Sequence, residues 1–210
     1  MNEVSMAQGN PAGAIEDRLK ALGIELPCPP PPAGNYEPVV IRRSVGYVSG
    51  QLPIRNGVLA YSGRVGEELS VEEAMQAAEL AAINVLAQIE CSSNGRHSFA
   101  GLLRMEGYIA SARGFANQPE ILDRASRLFV DVLGKPGAHA RAAFSVEQLP
   151  LNASVERVVT FAVKPVTETN TPARSASTSP SQARRLAPEC PSRLGYEAAG
   201  IGPQMAQDLT

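Results

Sequence analysis

Hydrophobic and polar positions change their period several times along the chain, and each change marks an element. Residues 1 to 13 carry no period and read as a loose arm. AIEDRLKALGIEL then puts Ile15, Leu19 and Leu22 on one side of a short helix, with Gly23 as its stop. PCPPPPAG cannot be helix, because proline fixes φ and lacks the amide donor, so it reads as a stiff extended connector. From Asn35 the pattern becomes that of strands, in YEPVVIRRSVGYVSG and GVLAYSGRVG, punctuated by Gly46, Gly50, Gly57 and Gly63.

SVEEAMQAAELAAINVLAQIE is the strongest helix signal. Ser70 with Glu73 three residues on forms a capping box, and the acidic residues suit the positive end of the helix dipole. Ala74, Ala78, Ala81, Val85 and Ile89 make a stripe of mostly small residues that lets a helix lie close to a sheet. LLRMEGYIAS reads as a strand. PEILDRASRLFVDVLG reads as a second long helix between Pro119 and Gly134, burying Leu122, Ala125, Phe129, Val132 and Leu133. Two last strands within ARAAFSVEQLPLNASVERVV and RVVTFAV, joined at a Leu149-Pro150-Leu151-Asn152 corner, complete the domain near Lys164.

This order predicts an α+β fold, one sheet with both long helices on a single face. In RVVTFAV, Val158 and Ala162 fall on one side while Val159, Phe161 and Val163 alternate around them. Apolar side chains on both faces predict that the uncovered face meets another subunit. Beyond Pro165 the chain turns rich in Pro, Ser, Thr and Ala, with Tyr196 its only aromatic, and reads as disordered. The expected organisation is therefore an arm over 1–13, a domain over 14–164 and a tail over 165–210.

Composition narrows the function. Of 210 residues, 44% are hydrophobic and 19% charged, which fits an ordinary core. Aromatics are 5% with no Trp, and the net charge is −2, which argues against nucleic acid and anionic membrane as partners. Cys28, Cys91 and Cys190 form no CxxC pair and read as reduced thiols. The absence of a signal peptide pattern and of an apolar run near ~20 residues points to a cytoplasmic protein.

Few residues carry candidate chemistry. His97 and His139 are isolated in sequence and read as exposed loop residues. No GxGxxG, P-loop, HExxH or GxSxG is present. Arg141, at the entrance of one late strand, and Glu156, just past the corner, stand out in what should be packed core. They form either a structural ion pair or a ligand site, in which the guanidinium holds a carboxylate bidentately and the carboxylate positions water or passes a proton.

YVSGQLP after a GNY segment, two helix–strand units, and then R-(x7)-LP-(x5)-E together resemble the Rid (YjgF) family of reactive-intermediate deaminases, labelled endoribonuclease L-PSP in older usage. The likeness runs from Ile15 to Val163. It implies a chorismate-mutase-like α+β fold, a mainly antiparallel mixed sheet, and a homotrimer with a central barrel and clefts between subunits. Family deaminases hydrolyse enamines and imines to 2-keto acids and ammonia without metal or organic cofactor. Carried over by position, Arg141 would bind the substrate carboxylate and Glu156 would position water. Tyr36 would close the cleft, and Ser49, Gly50 and Gln51 would line it. Two positions depart from the deaminase pattern: Asp123 replaces an Asn, and Ala143 replaces a Cys. A carboxylate at 123 could repel an anionic substrate or change which one fits. The N-terminal helix and proline run resemble a longer branch of the family. A non-catalytic trimer binding a small carboxylate metabolite remains the alternative, and an endoribonuclease is disfavoured by acidic balance and sparse aromatics.

Overall fold

A computed structural model describes residues 11–92 and 98–164. His97, Cys190, the first ten residues of the expected arm and the expected tail lie outside the described residues. In chain order the elements are α1 (Pro11–Ala21), β1 (Val39–Arg42), β2 (Val45–Gln51), β3 (Ile54–Arg55), β4 (Val58–Leu59), α2 (Val71–Cys91), β5 (Phe99–Ala110), α3 (Gln118–Leu133), β6 (Ala140–Val146) and β7 (Val155–Val163). Among the described residues, no helix is long and apolar enough to cross a membrane.

The main sheet has the order β1-β2-β7-β5-β6, and β3 with β4 forms a separate small hairpin. All pairs in the main sheet are antiparallel except β5 with β6, whose parallel pairing follows from the crossover through α3. α2 and α3 pack side by side against one face. The fold is α+β, as the order of patterns predicts. In its main core cluster, Val48, Met105, Ile109, Val159 and Phe161 of the sheet meet Ala74, Ala78, Val85, Leu122, Ala125 and Phe129 of the helices, and a smaller cluster gathers Ala110, Leu149 and Ala153.

Alternation decides which residues enter that core. On β7, Val155, Arg157, Val159, Phe161 and Val163 are buried under the helices, while Glu156, Val158, Thr160 and Ala162 are half-buried on the outer face. β2 changes phase once. Val48 pairs with Val159 and Gln51 with Arg157, so three steps on β2 oppose two on β7, a bulge at Ser49–Gly50.

α2 starts as its capping box predicts. Ser70 Oγ accepts from the Glu73 amide at 3.2 Å, and Glu73 Oε2 accepts from the Ser70 amide at 2.8 Å. Those bonds from Ser70 hold the Glu73 carboxyl below its usual range. Ser70→Ala is expected to lower unfolding free energy by about 1 kcal/mol in urea titration at neutral pH. Because Glu73 has a depressed pKa when folded, its side of the box is fully present above the usual carboxylate range and is lost as pH falls through the folded value. The difference between wild type and variant should therefore shrink in acid.

Two expectations about α1 need correction. The helix begins at Pro11, so residues 11–13 belong to it and not to an arm. Leu22 is 46% exposed, because α1 ends at Ala21 and Gly23, at φ +66°, turns the chain out of the helical stripe. Ile15 and Leu19 are buried as expected.

Candidate functional site

Arg141 and Glu156 do not lie on neighbouring strands, since β5 runs between β6 and β7. They also face opposite ways. Arg141 stands beside Met105, which is fully buried under the helices. Glu156 stands beside Tyr108 on the outer face. Within one chain they do not form an ion pair.

On the helix side, Arg141 sits on the edge strand with its side chain 26% exposed. Its Nη1 donates to Asp123 Oδ1 at 2.6 Å and to Ser126 Oγ at 3.2 Å, both one helix away on α3. Both bonds leave from Nη1, so the Nε–Nη2 edge, which receives a carboxylate side-on, takes part in neither. The structure thus brings Asp123 and Arg141 together, as the placement of Asp123 near the site implied. Ala143, two residues on, packs partly buried against the core.

His139 joins this cluster, contrary to the expectation of an exposed loop histidine. Its Nε2 is 3.2 Å from Ser126 Oγ, its Nδ1 is 2.7 Å from the Gly137 carbonyl, and its ring meets Phe129 edge-on at 5.8 Å. A carbonyl at Nδ1 can only accept, so Nδ1 carries a proton and, in the neutral ring, Nε2 accepts from Ser126. Ser126 lies 13 residues upstream on another element, so no local motif announces the pair.

Behind Arg141 lies a residue that sequence reasoning passed over. Arg157 is fully buried, the largest side chain so enclosed among the described residues. Its Nη1 lies 4.0 Å from Met105 Sδ, and its Nε and Nη2 have no hydrogen-bond partner among the described residues. Burial first, and the nearby Arg141 charge second, push its pKa down to about 9, which leaves it cationic at neutral pH. The signal was present: extending the Val159–Phe161–Val163 face back by two residues reaches Arg157.

On the outer face, burial raises the pKa of the Glu156 carboxyl. Gly50 is the reason that carboxyl fits, because a Cβ there would strike Glu156 Oε1. Nearby, Tyr108 stacks on Phe144 with centroids 5.1 Å apart and donates to Glu106 at 2.9 Å, while Arg104 holds the other Glu106 oxygen at 2.7 Å. The Glu106 bond is the main reason the Tyr108 phenol is raised.

The remaining expected lining residues divide. Gln51 is buried and turned inward, donating to the Ser49 and Gly50 carbonyls and accepting from Gln88, which also holds the Pro30 carbonyl at 3.0 Å. Gln88 thus bridges the proline connector and Gln51, which does not face Glu156. Ser49 lies in the bulge and receives a 3.4 Å contact from Gln51. Tyr36 is half-exposed, its hydroxyl accepting from the Ala33 amide. It precedes β1, at the sheet edge opposite β6, so it does not close over Arg141 of its own chain. Among the described residues no three His, Cys, Asp or Glu side chains converge as metal ligands would.

These features define an α+β sheet protein with helices on one face and a polar site at the crossover edge. The family described as "YjgF/chorismate mutase-like, putative endoribonuclease" matches residues 16–163. Atu1372 of Agrobacterium tumefaciens, a protein of unknown function, is 41% identical, covering 73% of this chain and 95% of its own, with a TM-score of 0.68. A "putative endoribonuclease" of Shewanella oneidensis is 32% identical, covering 71% and 99%, with a TM-score of 0.69. Protein TCP17 of Trypanosoma cruzi is 33% identical over 146 residues, 69% of this chain and 91% of its own. The chain belongs to the YjgF (Rid) family and has its chorismate-mutase-like fold.

Proposed function

We propose that this protein hydrolyses small enamine or imine intermediates bearing a carboxylate, giving 2-keto acid and ammonia. The observation that carries this reading is the Arg141 guanidinium, held at the sheet edge through Nη1 while its carboxylate-receiving edge takes part in neither bond to α3. An exposed ion pair such as Arg141–Asp123 is worth at most about 1 kcal/mol, whereas a bidentate carboxylate gains geometry as well as charge. Asp123 is therefore a displaceable occupant.

Glu156 supplies the second half. A half-buried carboxylate with a raised proton affinity suits positioning water and passing a proton. Because it lies on the other face, it meets Arg141 only if the outer face of one copy approaches the β6 edge of another. A homotrimer with clefts between subunits does this. Exposed Tyr47 and Phe144 and half-buried Val158 and Ala162 support such a covered outer face. The domain, from Pro11 at the start of α1 to Lys164 on this reading, is the repeating unit, and Tyr36 and the Ser49–Gly50 bulge line the cleft. No metal or organic cofactor enters, since the imine carbon is already electrophilic and needs orientation and a placed water.

The test is a coupled assay in which an amino-acid oxidase or dehydratase generates 2-imino acids and keto acid release is followed. Acceleration above buffer is expected, with an acid limb in the rate profile above the usual carboxylate range, the limb disappearing in Glu156→Gln. Glu156 binds its proton more tightly when folded, so the active carboxylate is lost as pH falls through that raised value. A protein that binds keto acids yet accelerates no imine would support the non-catalytic reading, which the Asp123–Arg141 contact favours.

A further inference from the structure

Arg157 is not explained by the reaction above. A fully buried guanidinium costs several kcal/mol unless it is paired and hydrogen-bonded. Here the charge that acts on it is another cation, Arg141, and two donors have no partner among the described residues. Water would satisfy the donors but leave the charge uncompensated. The fold keeps room for the group: Gly107 lies directly beside Arg157 in the sheet, and a Cβ there would strike both Arg157 Nη1 and Leu122. Next in the same row is the small Ala143.

The side chain is also directed. Its Nη1 reaches Met105 Sδ, and Met105 is the residue beside Arg141. Arg157 therefore crosses over Gly107 toward the row that holds the carboxylate anchor. In both arginines the same edge, Nε with Nη2, makes no hydrogen bond among the described residues, and that edge can donate two parallel bonds to a carboxylate. Leu122, which covers Gly107 beside Arg157, adjoins Asp123 on α3. A ligand that displaces Asp123 from Arg141 acts on the turn that covers Arg157.

We propose that the ligand of this site carries two carboxylates, one received by Arg141 and the second by Arg157, so that the substrates are imines of 2-amino dicarboxylic acids. This rests on the reading of Arg141 as a carboxylate anchor. Arg157 acts as the specificity residue and forms no bond to the reacting carbon.

The test uses the products as probes. Oxaloacetate and 2-oxoglutarate are titrated calorimetrically into the full chain beside the monocarboxylate 2-oxobutanoate. At least one dicarboxylate is expected to bind about tenfold or more tighter, and the ratio is expected to fall to about one in Arg157→Met. Met matches the buried volume and removes an uncompensated charge, so the variant is expected to unfold at a higher temperature without ligand and to lose the extra upward Tm shift given by the dicarboxylate. Arg157→Lys, which keeps charge but not the planar edge, should retain part of the preference and serves should Arg157→Met not fold. Equal binding of mono- and dicarboxylates by the wild type, or a preference that survives both substitutions, overturns the inference while leaving the anchor intact. Failure of every keto acid to bind removes the anchor and this inference with it.

Discussion

Alanine in place of Arg141 is expected to lower kcat/KM toward 2-imino acids by about a hundredfold. Hydrogen bonds from a charged donor contribute roughly 1.5–3 kcal/mol each, and about 1.4 kcal/mol is a factor of ten. The carboxylate does not react, so much of the loss should appear in KM, with kcat falling to the extent that the anchor fixes the imine carbon against water. Arg141→Lys should recover only part, because a point charge lacks the planar fork. Asp123→Asn should move KM the other way, since it removes the carboxylate that competes for the same guanidinium at 2.6 Å. If Arg141 served only as a partner for Asp123, its removal would cost under about 1 kcal/mol of stability and leave the rate alone. Steady-state kinetics on the three variants separates these cases.

How much of this was legible in the sequence depends on the element. α2 was readable because its cap and small-residue stripe are local, and both are present in the structure. The buried face of α3 was readable for the same reason. On β7 the period of two assigned inner and outer faces correctly. The relation between Arg141 and Glu156 was not readable. Counting alternation requires unbroken strand, and here it is broken at Pro150–Asn152, where Leu151 and Asn152 take φ near +57° and +58°. Nor does sequence adjacency reveal that β5 inserts itself between the two strands. His139 and Ser126 meet through tertiary packing alone.

Phe161→Ala is expected to destabilise the fold by about 3–5 kcal/mol, a large part of the roughly 5–15 kcal/mol that holds a domain together. Phe161 is 1% exposed, lies 6.1 Å from the Phe99 ring, and fills the space over Gly46 directly across the β2–β7 pair. A Cβ on Gly46 would strike that ring. Gly46→Ala alone should therefore cost about 1–3 kcal/mol by overpacking. Combined with Phe161→Leu, which withdraws the ring edge, it should cost less than the two separate losses added. Urea midpoints with an unchanged m-value would show that these effects act on the native packing. Additive costs would mean that the ring and the glycine do not share the space assigned to them.

The bulge at Ser49–Gly50 gives β2 something like a reading frame. Val48 and Gln51 both turn inward although they stand three positions apart, an odd step that alternation alone would send to opposite faces, and the one extra residue of the bulge makes that possible. Exchange of side chains there alters contacts one at a time. Loss or gain of a single residue would instead invert everything on one side of it, sending Gln51 outward or Val48 into the open. A substitution in this segment is felt at one contact, as at Gly50, where a Cβ would meet Glu156, while a change of length near residue 50 would have to be matched by a compensating change elsewhere in the same strand.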